Sequence, residues 1–188
     1  MGTGQGSQHP YDFTGQNATT GETSFTVGAI TTPVTIASTA SLTQQHPGLL
    51  IPQSGAIAGA LYEIYGWGAY SVTGTPTMIW GLYLGGITGT ALAAVPAVTA
   101  GSGVTNCLFE FNARISFTTT TTAESVFSLR VGTSSSTDAA SPFVAAPTSA
   151  TTVAVGANGS QLVTGFTWSA SSSSNTISLR GGYATRIC

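Results

Sequence analysis

The chain is expected to fold as an all-β, antiparallel β-sandwich of jelly-roll type, with about eight strands and an extended N-terminal arm. Three observations lead there. From Phe25 onward, short β-branched or aromatic runs alternate with Gly, Pro, Ser and Asn punctuation. The strongest apolar period is two rather than 3.6, and no convincing amphipathic helix is found. Several strand candidates have one apolar and one polar face, which suits two packed antiparallel sheets better than an up-and-down hairpin array.

Residues 1 to 23 are rich in Gly, Gln, Ser, Asn and Thr, and only Tyr11 and Phe13 could anchor them. Such a segment cannot bury enough apolar surface to offset its own ordering entropy, so it reads either as an arm ordered by a partner or as a frayed terminus. The sandwich domain is placed at 24–188. Its first strand candidate is Val34 to Leu42, followed by Leu61 to Val72 and Thr77 to Leu84. Gly66 and Gly68 flank Trp67 inside the second of these, where missing side chains mark a bulge or the close approach of another backbone or ring. Leu108 to Phe117 is the clearest strand. Phe109, Phe111, Ala113, Ile115 and Phe117 share one face, while Glu110, Asn112, Arg114 and Ser116 share the other. On that basis Asn112→Asp is expected to be mild and Phe111→Asp ruinous. Val126 to Val131 turns Phe127, Leu129 and Val131 inward, and Ser128 and Arg130 outward. Val153 to Val155 and Leu162 to Trp168 follow, the latter with Leu162, Phe166 and Trp168 on one face. In Asn175 to Ile187, strict alternation places Ile177, Leu179, Tyr183 and Ile187 opposite Ser178, Arg180 and Arg186. The tracts Thr118 to Thr122, Ser134 to Ser136 and Ser171 to Ser174 read as polar loop tips. Gly85-Gly86 and Gly181-Gly182 read as turns or bulges.

Hydrophobic residues make up 41% of the 188 and charged residues only 5%, against roughly 25% charged in an ordinary globular protein. A surface built from Ser, Thr, Gln, Asn and Gly has little colloidal repulsion, so self-association, most simply as a homotrimer, or incorporation into a larger assembly is expected. The only cations are Arg114, Arg130, Arg180 and Arg186, and the formal net charge is −2. That excludes nucleic acid and anionic membrane as partners, since both need clustered Lys or Arg. No apolar run of about 18 residues occurs, so no transmembrane helix is expected. Met1 to Gln8 lacks the basic and apolar regions of a signal peptide, which points to synthesis in a cytoplasm. Cys107 and Cys188 lack metal-ligand spacing. They are expected to be free thiols, with a C-terminal thiol meeting a neighbouring subunit as the alternative.

Chemistry-bearing constellations are sparse, and neither enzyme activity nor a cofactor is expected. His9 and His46 stand outside any nucleophile motif, and the acids form no ligand pair at metal spacing. The Asn17-Ala18-Thr19 and Asn158-Gly159-Ser160 sequons are discounted as chance occurrences. Glu63 and Glu110 are the only strand-borne carboxylate pair, and each is expected to face solvent or to pair with Arg114 or Arg130. The aromatics Tyr62, Tyr65, Trp67, Tyr70, Trp80 and Tyr83 concentrate on two strand candidates. Some belong to the core. Those left outside, with Tyr65, Trp67, Tyr70 and Tyr83 as the candidates, suit a protein interface or the stacking of a sugar.

The runs Pro47-Gly-Leu-Leu-Ile-Pro52, Leu61-Tyr-Glu-Ile-Tyr-Gly-Trp-Gly-Ala69 and Pro76-Thr-Met-Ile-Trp-Gly-Leu-Tyr-Leu-Gly-Gly86, with Leu108-Phe-Glu-Phe-Asn-Ala-Arg-Ile115 and Asn175-Thr-Ile177, carry a resemblance over roughly residues 25 to 188. In these runs the chain resembles jelly-roll virion proteins of tailed bacteriophages of actinobacteria, a loose group of head decoration, head fibre and minor tail proteins. The resemblance implies attachment to a virion without choosing the location. One expectation is a trimeric capsid decoration or cement protein on the outer surface of the head, its arm (Tyr11, Phe13) reaching onto the major capsid protein. A second is a tail-associated receptor-binding domain holding host cell-surface glycans on exposed aromatics, and a third is a cellular lectin-like module.

Overall fold

A computed structural model describes residues 34–37, 40–46, 48–132, 141–145 (backbone only), 150–169, 172 and 174–187. The proposed arm with Tyr11 and Phe13, the Ser134 to Ser136 tract and Cys188 lie outside them. In chain order the first strands are β1 (Val34–Ala37), β2 (Thr43–Gln44), β3 (Leu49–Ile51), β4 (Leu61–Ser71), β5 (Thr77–Leu84), β6 (Thr90–Ala94) and β7 (Val98–Thr99). They are followed by β8 (Cys107–Phe117), β9 (Thr122–Val131), β10 (Ser141–Ala145), β11 (Thr151–Thr152), β12 (Ser160–Trp168) and β13 (Thr176–Arg186).

All pairings are antiparallel and form two sheets. The larger runs β1-β13-β4-β8-β9-β10, with β11 also on β9; the smaller runs β2-β12-β5-β6, with β3 on β12 and β7 on β5. The pairs β1–β13, β2/β3–β12, β4–β8 and β5–β6 are nested in sequence, as in one long antiparallel hairpin rolled over on itself. That is the jelly-roll order expected from the sequence. The eight strand candidates correspond to β1, β4, β5, β8, β9, β11, β12 and β13, while β2, β3, β6, β7 and β10 are additional. The Thr77 to Leu84 candidate keeps its bounds as β5. Val34 to Leu42 is instead split, ending as a strand at Ala37, and the strand near Val153 is Thr151–Thr152.

The core lies between the sheets. Trp80, Phe166 and Trp168 of the smaller sheet form an edge-to-face ladder, with ring centroids 4.8 Å apart at each step. Phe109 and Tyr70 of the larger sheet meet it across the core, at 5.9 Å from Trp80 and 6.4 Å from Trp168. Phe111 and Phe127 stack at 5.5 Å within the larger sheet. The predicted inward faces of β8, β9 and β12 are all buried. β4 accommodates the Phe rings through its glycines. A Cβ at Gly66 would stand 2.5 Å from Cζ of Phe111, and one at Gly68 would stand 2.8 Å from Cζ of Phe109. Each glycine is the direct cross-strand partner of the ring that covers it.

β13 departs from strict alternation. Its register against β4 shifts between Leu179 and Gly181, a bulge with Arg180 as the extra residue. One inserted residue exchanges the faces beyond it. Ile177 and Leu179 are buried as expected, but Ala184 then turns inward, while Tyr183 and Ile187 are left exposed. Arg186 lies over the Tyr62 ring at 5.9 Å rather than with Ser178 on the outer face. The double glycine Gly181-Gly182, read from sequence as a turn or bulge, directly follows the bulge and is itself paired with β4.

Between β2 and β3 the edge of the smaller sheet breaks, and Gln45 and His46 turn into the protein. The Trp80 indole N–H donates to Gln45 Oε1 (3.0 Å), and the Gly48 N–H donates to His46 Nδ1 (3.0 Å). Burial pushes the His46 pKa down from 6.5 to about 4.

Two predictions follow from this packing. Phe111→Asp is expected to abolish soluble folded protein, since a buried unpaired carboxylate consumes much of a typical stability of ~5–15 kcal/mol. Leu108→Asp, on the exposed side of the same strand, should melt within a few degrees of wild type; equal loss in both would show the facing to be wrong. For His46, the unfolded chain takes up a proton below 6.5 that the folded chain refuses until about 4. Stability should therefore fall as pH falls through that window, by up to about 3 kcal/mol from this group. Urea unfolding across the window should give a shallower slope for His46→Asn, whose amide oxygen can replace Nδ1 as acceptor; identical slopes would exclude His46 as the source.

Candidate functional site

Beyond the bulge in β13, the outward side chains of β13, β4, β8 and β9 line up in rows because the four strands pair there without a shift of register. One row is Gly181, Trp67, Glu110, Arg130. The next is Tyr183, Tyr65, Asn112, Ser128, and the third is Thr185, Glu63, Arg114, Val126. Gly181 has no side chain, and the Trp67 indole lies across it. A Cβ there would stand 2.7 Å from Trp67 Cε2 and 3.0 Å from Cζ2. The indole is held against the sheet yet remains 44% exposed. Trp80 and Trp168 are buried, so Trp67 alone among the three tryptophans meets solvent.

Beside it, Tyr65 and Tyr183 stack across the strand pair, with centroids 5.4 Å apart and planes at 29°. Tyr65 Oη donates to Glu110 Oε2 and Tyr183 Oη to Glu63 Oε1, each at 3.4 Å. Burial raises both phenol pKa values, and the neighbouring Glu110 and Glu63 add to the rise. Both hydroxyls therefore stay protonated donors through the neutral range.

The carboxylates are paired as the sequence led one to expect. Arg130 reaches Glu110 at 3.2 Å and Arg114 reaches Glu63 at 3.4 Å. Asn112 Nδ2 also donates to Glu63 Oε1. Asn112→Asp is therefore no mild substitution, because it would set a second carboxylate against Glu63. Arg180, the bulge residue, donates to Asn106 Oδ1 at 3.0 Å. Beside Trp67 and the Glu110–Arg130 pair lies an open depression of about 430 Å³ lined by Tyr65, Trp67, Leu108, Glu110 and Arg130, with Gly68, Phe109 and Gly132 also contributing. Leu108 is 54% exposed at its margin.

Of the four aromatics proposed from sequence, Tyr65 and Trp67 meet at this depression. Tyr70 does not: it falls on the inward parity of β4, is 1% exposed, and donates its hydroxyl to Gly132 O at 2.6 Å. Tyr83 lies on the outer face of the other sheet, its ring over Gly81 and Gly165, where a Cβ would stand 2.9 Å away. Tyr183 was missed because strict alternation turned it inward; the adjacent Gly181-Gly182 was the signal that alternation breaks there. Among the described residues, no three His, Cys, Asp or Glu side chains are grouped to hold a metal, and no helix is long and apolar enough to cross a membrane.

The chain is thus a jelly-roll β-sandwich with an aromatic and ion-paired face on its larger sheet. No family model and no curated protein matches it. Among solved structures it is similar to the CBM2 module of the evolved Dit of Lactobacillus casei phage J-1 (host strain BL23). Identity is 9% and the TM-score 0.30, with 81% of this chain and 66% of that chain covered. The chain thus spans just under two thirds of that chain's length.

Gly181→Ala is expected to lift the indole off the sheet at a cost of about 1 kcal/mol or less, because an exposed ring can swing into water. The fraction of tryptophan emission open to acrylamide should rise. Unchanged quenching would show that the ring does not rest on Gly181.

Proposed function

We propose that this chain is a non-enzymatic virion module that binds host cell-surface glycan on the outer face of its larger sheet. The observation that carries the reading is the exposed Trp67 plane beside the Glu110–Arg130 pair in one shallow depression. An indole face has a negative quadrupole that attracts the C–H side of a pyranose ring. A carboxylate and a guanidinium next to it accept and donate to ring hydroxyls, fixing orientation in the way polar groups do in otherwise apolar sites. An exposed ion pair contributes only about 0–1 kcal/mol, so a hydroxyl can share it at little cost. Virion membership is supported by the resemblance of the strand runs to tailed-phage jelly-roll proteins. The receptor-binding reading is preferred to capsid decoration because the described residues offer a stacking face with hydrogen-bonding groups beside it.

The purified chain should bind envelope polysaccharide from an actinobacterial host panel, and Trp67→Ala should weaken binding at least about tenfold, some 1.4 kcal/mol, with an unchanged melt. Binding to undecorated phage heads by both forms, with no envelope binding by either, would overturn this reading in favour of a decoration protein.

A further inference from the structure

Resting on the glycan-binding reading, the geometry points to an uncharged oligosaccharide, spanning at least two sugar residues, as the ligand of this face. The first ground is charge. The described ionisable side chains directed outward from β13, β4, β8 and β9 are three carboxylates (Glu63, Glu110, Glu124) and three guanidiniums (Arg114, Arg130, Arg180). Glu110 holds Arg130, Glu63 holds Arg114, and Arg180 is engaged by the Asn106 amide oxygen. The six formal charges of the face sum to zero, with Glu124 and Arg180 outside the two ion pairs, so the face carries no net charge to attract an anion. An acidic sugar at the remaining N–H groups of Arg130 would meet the neighbouring Glu110 carboxylate as a like charge. A neutral hydroxyl meets no such opposition, since it can donate to Glu110 and accept from Arg130 while their ion pair persists.

The second ground is spacing. Trp67 and Tyr65 are two residues apart on one face of an extended strand, about 7 Å along it. The Tyr183 ring lies beside Tyr65, so the aromatic surface is longer than one pyranose ring. A single sugar fills one part of it, and a chain fills both.

The test is tryptophan fluorescence and calorimetric titration of the full chain at about 0.05 and about 0.5 M salt, where screening lengths differ severalfold. The neutral probes are cellohexaose, maltohexaose and galactohexaose with their disaccharides; the anionic probe is hexagalacturonate. At least one neutral hexasaccharide is expected to bind with a Kd changing less than about twofold between the two salts. It should bind at least about tenfold tighter than its disaccharide, and Trp67→Ala and Tyr183→Ala should each lose about fivefold or more. Tighter binding of hexagalacturonate, weakening steeply with salt, overturns the neutral-ligand inference and leaves the glycan reading standing. A disaccharide as tight as its hexasaccharide overturns the two-residue span. No binding by any probe, or binding indifferent to Trp67→Ala, overturns both this inference and the reading beneath it.

Discussion

The packing of aromatic rings onto glycines of neighbouring strands is the constraint from which both faces of the larger sheet follow. Phe111 lies over Gly66 and Phe109 over Gly68 on the core side of β4, and Trp67, between those glycines, lies over Gly181 on the other side. A glycine in a strand exposes backbone and contributes no packing of its own, and a ring laid across it restores both losses. The arrangement is reciprocal. Without side chains at 66 and 68, the core rings sit close against β4; without one at 181, the indole lies flat rather than standing off the sheet. The same device recurs on the smaller sheet, where Tyr83 covers Gly81 and Gly165.

The polar groups of the outer face then have fixed addresses. Register places Glu63 opposite Arg114 and Glu110 opposite Arg130, so each carboxylate has its guanidinium on the adjacent strand. The tyrosine hydroxyls close the network from the other side. In a chain with so few charges, spending three carboxylates and three guanidiniums on one face makes that face the chief electrostatic feature of the described surface. Its internal balance makes it a surface for hydrogen bonding rather than for long-range attraction.

Much of this was legible in the sequence because its strong strands alternate cleanly. The facing of β8, β9 and β12 and the bounds of β5 follow from a period of two applied to single strands, whereas which guanidinium each carboxylate meets depends on inter-strand register. What escaped has physical reasons. β3 and β7 are too short to show a period, and β6 is Ala-rich, a residue with little strand preference. Tyr70 was grouped with Tyr65 and Trp67 by aromatic density, although its odd offset from both already placed it on the opposite face, toward the core. Tyr183 and Arg186 were placed by counting through a position where the count changes. The split between β1 and β2, and the turn of Gln45 and His46 into the interior, depend on contacts with β12 and Trp80 that are remote in sequence.

The bulge at Arg180 also bears on how such a module can vary. Beyond it, the last turn-free stretch of the chain is read out of step, Ala184 against the core and Tyr183 toward the outer face. Drawing Arg180 into the ladder as a paired residue would trade the two, driving a phenol into a filled interior and leaving a methyl group where the stacked pair had been, whereas deleting Arg180 would close the bulge and keep both facings. Exchanging one side chain for another on this face leaves the count untouched. The surface is thus free to diversify by replacement, and at Arg180 β13 carries one residue it can lose without exchanging its faces, while a residue gained or lost elsewhere along it must be absorbed by a bulge or a loop.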